Sequence, residues 1–337
     1  VEKMVRKAAK MFNQFCDEQT RATILDALKS SVNIAIAGHV HPDGDAVGSC
    51  LGLARFIQIV NPAAKVAVYL GEASKDFSFL AGFDKTTYDF DKDIRYDLFL
   101  SLDCSDIDRL GPTVKYFESA DFTICIDHHI TNEGFADINV ISSEASSTSE
   151  LVASIIELEY ADRELAECLY LGIVHDTGVF KHSCTSESTM DYAGKLIDLG
   201  ARCDYVIDQT FFKMTFAQNK ALGRVMDKAE LFCDGKLIIS TFEEADEQRY
   251  GVFPANLGCM IDKLRVTEDV KIAAFIYWQN VDKEWSVSLR ANDDADVSAI
   301  AMTYGGGGHV KAAGYKSKKS LDEIIEEVKA AAAKQLM

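Results

Sequence analysis

The sequence predicts an α/β fold: a doubly wound, mostly parallel sheet joined by a helical connector to a smaller α/β domain. Three observations predict it. Short apolar runs at residues 32–37, 65–70, 97–102 and 122–126 alternate with helical patterns, as parallel strands and their crossovers do. Three of those runs end in Asp or His, at the carboxyl edge where open α/β sheets bind ligands. A second strand pattern restarts after residue 228, and 337 residues is the length of about two domains. The expected division is residues 1–212, an N-terminal helix plus the doubly wound domain; 213–227, the connector helix; and 228–337, the smaller domain.

Taken in order, residues 1–28 read as one or two amphipathic helices with no chemistry assigned. The run at 32–37 leads into Gly38-His39-Val40-His41-Pro42-Asp43-Gly44-Asp45. A helix follows, with Val47, Leu51, Ala54 and Ile57 on one face. The polar cluster is therefore a strand-to-helix loop that Pro42 and Gly44 can turn tightly. Carboxylates with imidazoles suit Mn²⁺, Zn²⁺ or Fe²⁺; equally, Asp45 reads as a plain helix cap. Asp103 closes the run at 97–102, with Asp106 and Asp108 as loop or cap residues. Arg109 reads either as an ion-pair partner of these aspartates or as a phosphate contact. The run at 122–126 ends in Asp127-His128-His129. Three strands ending in Asp or His at one edge would leave unpaired charge at the rim of a core, and a shared metal centre explains all three.

Residues 136–141 read as an edge strand, and Ser147-Thr-Ser-Glu150 as a capping box opening a helix over 151–158. The N–H groups there either begin an ordinary helix or hold a phosphate oxygen. The next helix runs from residue 163 to Asp176, a further candidate ligand. His175 and His182 have no spacing argument and read as structural. Residues 186–228 read as wholly helical. Strands are expected at 231–232, 236–242, 270–278 and 285–290, with Arg290 a candidate anion partner. Gly305, Gly306, Gly307 and Gly308, then His309 and a helix-forming Ala312-Ala313 pair, read as a phosphate or nucleotide cradle at a helix start rather than a linker.

Composition narrows the function. A net charge of −18 argues against tight binding of long nucleic acid, though metal ions in an acidic cleft can still present a positive site to a small phosphate. No apolar segment approaches the roughly 20 residues of a membrane span and no signal-peptide core is seen, so a cytoplasmic location is expected. Nine cysteines, with no Cys-x-x-Cys and with Cys50, Cys125 and Cys168 inside apolar runs, read as reduced thiols.

Asp127-His128-His129, together with His39-x-x-x-Asp43-x-Asp45, Asp103 and Asp176-Thr-Gly, resembles the DHH family of phosphoesterases. Gly305 to Gly308, His309 and Ala312-Ala313-Gly314 resemble its associated C-terminal domain. The length and layout look like the nanoRNase branch. That resemblance implies hydrolysis of short oligoribonucleotides to mononucleotides and of 3′-phosphoadenosine 5′-phosphate (pAp) to AMP. It implies two Mn²⁺ ions per site, with Mg²⁺ or Co²⁺ as substitutes: one held by His39, Asp43 and Asp103, the other by Asp45, Asp103, His128 and Asp176. In this reading a water between the ions attacks phosphorus and His129 stabilises a phosphoryl oxygen. Arg290 and His309 grip the substrate's other phosphate, and closure between domains aligns it. Related chains commonly carry Asn where this one has His41. The alternative reading is a phosphodiesterase for cyclic or linear (pApA-type) dinucleotides. Long duplex nucleic acid and membranes are not expected partners; a homodimer is left open.

Overall fold

In the computed structural model, residues 15–71, 73–91, 93–253 and 257–336 are described. The chain divides into two units, the first ending at Lys213 and the second running from Met214.

The first unit opens with helix α1 (Glu18–Ser30), capped by Asp17; the expected helical segment before it lies outside the described residues. Its sheet contains β1 (Asn33–Ala37), β2 (Lys65–Tyr69), β3 (Leu98–Leu102), β4 (Thr123–Asp127) and β5 (Ile138–Ile141). All pairings are parallel, in the order β2-β1-β3-β4-β5. Successive side chains go to opposite faces. Ile34, Ile36, Leu98, Leu100, Ile124 and Ile126 join one core cluster, and Ala35, Ala37 and Phe99 join another with Tyr69, Tyr96 and Tyr116. Burial on both faces is why these strands read as continuous apolar runs.

Helices α2 (Gly44–Val60), α3 (Thr148–Ile155) and α4 (Arg163–Asp176) cover the first face. Their closeness depends on Gly172, where a Cβ would lie 1.9 Å from Ser149 Oγ and 2.4 Å from Asp45 Oδ1.

The expected unbroken helix over 186–228 is instead α5 (Glu187–Asp198), α6 (Cys203–Ile207), a π-helical turn (Asp208–Phe212) and α7 (Phe216–Asp227). Gly200 (φ 99°) stops the first piece. A capping box between Thr215 and Gln218 starts the last, which belongs to the second unit.

That unit carries a mixed sheet of β6 (Glu230–Phe232), β7 (Leu237–Phe242), β8 (Ile272–Gln279), β9 (Glu284–Ala291), β10 (Gly307–His309) and β11 (Ala312–Ser317), ordered β10-β11-β9-β8-β7-β6. The Ala312-Ala313 pair is therefore strand, not helix. Ala313 and Tyr315 pair with Leu289 and Val287 of β9 and are buried, so tertiary pairing overrides alanine's helix propensity. Among the described residues no helix is long and apolar enough to cross a membrane.

Candidate metal centre

Strand order decides where the first unit can bind. The chain winds from β1 to β2 on one side and on to β3 on the other, so the crevice past the carboxyl ends of β1 and β3 is the switch point of this sheet. His39 lies two residues beyond β1, and Asp103 directly follows β3 with a left-handed φ of 56°. His128 and His129 follow β4, Asp43 and Asp45 sit at the start of α2, and Asp176 is the last residue of α4.

The six expected ligands converge there in two groups, His39 with Asp43 and Asp103, and Asp45 with His128 and Asp176, the ligating atoms of each within 4.8 Å. Asp103, 2 % exposed, faces both groups: Oδ2 is 3.6 Å from His39 Nε2, while Oδ1 is 3.5 Å from His128 Nε2. His39 Nε2 is 3.9 Å from Asp43 Oδ1, and His128 Nε2 is 3.1 Å from Asp176 Oδ2. Most of these separations are too long for hydrogen bonds. Ligand bonds of about 2.1 Å at tetrahedral or octahedral angles put two donors on one cation roughly 3.0–3.5 Å apart. The two His128 separations fall in that range and the two His39 separations lie just beyond it.

Electrostatics points the same way. Burial and then neighbouring Asp176 push the Asp45 carboxyl up to about 7, and burial followed by Asp45 and Asp43 holds Asp103 well above the usual range. Burial alone would lower His128, but its contact with Asp176 and the surrounding carboxylates raise it to about 9. Buried carboxylates without enough protein cations to match them fit divalent metal ions.

A second layer aims these ligands. Asp45 accepts the Thr148 N–H at 2.6 Å through Oδ2 and the Ser149 N–H at 2.9 Å through Oδ1. The N-terminus of α3, which the sequence offered to a phosphate oxygen, is thus engaged by this carboxylate. Ser147 caps α3, but Glu150 reaches back to Ser146 rather than to Ser147. His39 Nδ1 lies 2.8 Å from the Val40 carbonyl and 2.9 Å from Arg109 Nη2, which directs Nε2 at the carboxylates. Arg109 therefore sits on a candidate ligand, not on Asp106 or Asp108 as its ion-pair reading supposed.

His129 Nδ1 is 2.7 Å from Asp127 Oδ1, and Asn132 donates to Asp127 Oδ2 at 2.8 Å. Burial opposes charge on Asp127, yet these bonds hold its carboxyl below the usual range. The sequence reading missed Asn132; its signal was an Asn two residues before Gly134, whose N–H it accepts at 2.8 Å. His41 is exposed with φ 56°, a left-handed position that suits His as it suits Asn.

Two family models match the chain: the DHH family N-terminal domain over residues 33–173 and the DHHA1 domain over residues 234–334. The chain thus carries a DHH domain and a DHHA1 domain. It is 27 % identical over 322 residues to the bifunctional oligoribonuclease and PAP phosphatase NrnA of Thermus thermophilus, an alignment covering 94 % of this chain and 93 % of the relative. It is 28 % identical over 335 residues to the cyclic-di-AMP phosphodiesterase PdeA of Listeria monocytogenes, covering 94 % of this chain and 48 % of that protein. Its fold matches the crystal structure of an exopolyphosphatase-related protein from Bacteroides fragilis with a TM-score of 0.83 at 22 % identity, covering 95 % and 97 % of the two chains.

In the DHHA1 domain the glycine run is not followed by a helix. It leads from the end of a helix (Val297–Thr303) into the β10–β11 hairpin. Two of its glycines are needed for packing: a Cβ at Gly306 would lie 2.1 Å from the Gly314 carbonyl, and one at Gly308 2.5 Å from that of Ala312. Gly305 and Gly307 face open space. The register pairs His309 with Ala312 and Ala312 with Arg290, so Arg290 and His309 share one row across three strands and one face of the sheet. Arg290 Nε lies 3.6 Å from Asp262 Oδ1.

Proposed function

We propose that this chain is a two-metal phosphoesterase that hydrolyses short oligoribonucleotides to mononucleotides and pAp to AMP. The observation that carries the two-metal part is Asp103, whose two carboxylate oxygens each face a separate ligand group. His39, Asp43 and Asp103 hold one ion, and Asp45, Asp103, His128 and Asp176 the other. The donor set and the family resemblance favour Mn²⁺. When bound, the metals supply Lewis acidity that makes water a nucleophile at neutral pH and offsets phosphoryl charge.

The protein's own part is positioning. Asp127, fixed by Asn132, accepts from the Nδ1–H of His129, and when the half-exposed ring carries its second proton its Nε2–H is free to donate to a phosphoryl oxygen as charge develops. Asp45, locked to the α3 N-terminus, and His39, whose Nδ1–H donates to the Val40 carbonyl, keep their metal-binding atoms in place before substrate arrives, so little reorganisation remains in the reaction. Within the second unit, Arg290 and His309 on one face of the sheet, beside the open Gly305 and Gly307, offer a contact for an anionic group and no chemistry.

The substrate reading is supported by the NrnA relative, which aligns over nearly its whole length. The PdeA relative supports the dinucleotide alternative but is matched over about half of itself. The test is purified protein with Mn²⁺ against pAp, RNA dinucleotides, pApA, the cyclic dinucleotide and pyrophosphate. Release of AMP from pAp and of mononucleotides from dinucleotides is expected. Turnover of the cyclic dinucleotide alone would replace this reading with the alternative.

A further inference from the structure

A third imidazole lies against the same carboxylates. His175 Nδ1 is 3.6 Å from Asp176 Oδ1, while the other oxygen of Asp176 faces His128. Asp43, His175 and Asp176 bring three donor atoms within 4.8 Å of one another, as closely as either ligand group above. Asp176 thus stands between His128 and His175 as Asp103 stands between His39 and His128. The ring is held in place. It packs over Gly44, where a Cβ would lie 2.5 Å from two of its atoms, and the rings of Phe77 and Phe211 each lie 6.0 Å from it.

We propose that Asp43, His175 and Asp176 form a third divalent-cation position beside the two-metal centre, filled when a phosphate-bearing ligand is present. The inference rests on the two-metal reading. Charge sets its order of filling. Asp43, Asp45, Asp103 and Asp176 carry four negative charges, which two divalent ions already match, while Asp127 is engaged by His129 and Asn132. A third ion adds two positive charges with no protein carboxylate to meet them, so it binds weakly alone and tightly with a phosphate dianion.

The experiment is Mn²⁺ titration of the full chain, reading free Mn²⁺ by electron paramagnetic resonance, with and without inorganic phosphate. Wild type is expected to show two tight ions plus a weaker third that phosphate tightens by at least about ten-fold. His175→Phe keeps a ring over Gly44 and removes the donor; it should retain the two tight ions and lose the third, and His175→Leu should do the same. A wild-type count that stays at two under saturating phosphate overturns the third position and leaves the two-metal reading standing. A third ion unchanged in a folded His175 variant also overturns it. Fewer than two tight ions in wild type overturns the two-metal reading and the third position together.

Discussion

At the scale of single residues, Asp103 is the part the centre can least do without. It is buried, and its oxygens face both ligand groups. Asp103→Asn removes one charge and one metal-binding oxygen while keeping the shape. Residues that merely orient a ligand are worth about 10–100-fold, so losing a shared ligand should cost more than about 100-fold in kcat/KM and lower the bound-Mn²⁺ count. Circular dichroism should show the fold retained. Acidity adds a second prediction. Asp45, raised to about 7 by burial and Asp176, takes up a proton more readily in the folded metal-free chain than unfolded. Its cost to stability is therefore absent below about pH 4 and complete above about pH 7. His128, raised to about 9, stabilises the fold fully below about pH 6.5 and loses that contribution as pH rises through 9. Both slopes have one sign, so the melting temperature of metal-free protein should fall between about pH 5 and pH 9. Added Mn²⁺ should raise it most at the alkaline end, because ligands bind deprotonated. A metal-free melting temperature that rises over that range would contradict the buried, uncompensated carboxylates.

At the scale of elements, the site depends on how closely α2, α3 and α4 pack over the sheet. Gly172→Ala would drive a methyl group into Ser149 Oγ and Asp45 Oδ1. Overpacking of this kind costs about 1–3 kcal/mol, and here it should also weaken Mn²⁺ binding by moving Asp45 off the α3 N-terminus. Denaturant unfolding and metal titration of that variant check the two effects separately. The central strands β1, β3 and β4 were legible because they are buried on both faces and so read as largely apolar runs, whereas the outer strands β2 and β5 are only partly buried. The candidate ligands stand soon after such runs or at the ends of helices, which is why the sequence singles them out. What escaped was set by partners distant in sequence. Nothing local to Asp45 shows that it caps α3, about a hundred residues on. Ala312 and Ala313 read as helix formers until β9 is beside them. Gly200 and Thr215 carry local signals for a break and a cap, but the helical periodicity around them is the stronger pattern. His175 gives no signal in the sequence, because its place in the chain does not show that Asp43 as well as Asp176 comes near it in space.

At the scale of the whole molecule, the chain carries a net charge of −18 and concentrates its candidate cation sites in one crevice of the DHH domain. Under the proposed function a short oligonucleotide would place one phosphate on the metals and leave few others to be repelled by an acidic surface. A long RNA exposes many phosphates to it and gains no counterion release in return. Hydrolysis should therefore decline with length and depend on added divalent metal, with chelator removing it and Mn²⁺ restoring it. The most direct measurement is kcat/KM for a series of RNAs from a dinucleotide to a twenty-mer with saturating Mn²⁺. The dinucleotide should be cleaved fastest and the rate should fall progressively along the series. A twenty-mer degraded as fast as the dinucleotide, or a dinucleotide left intact, would contradict the account.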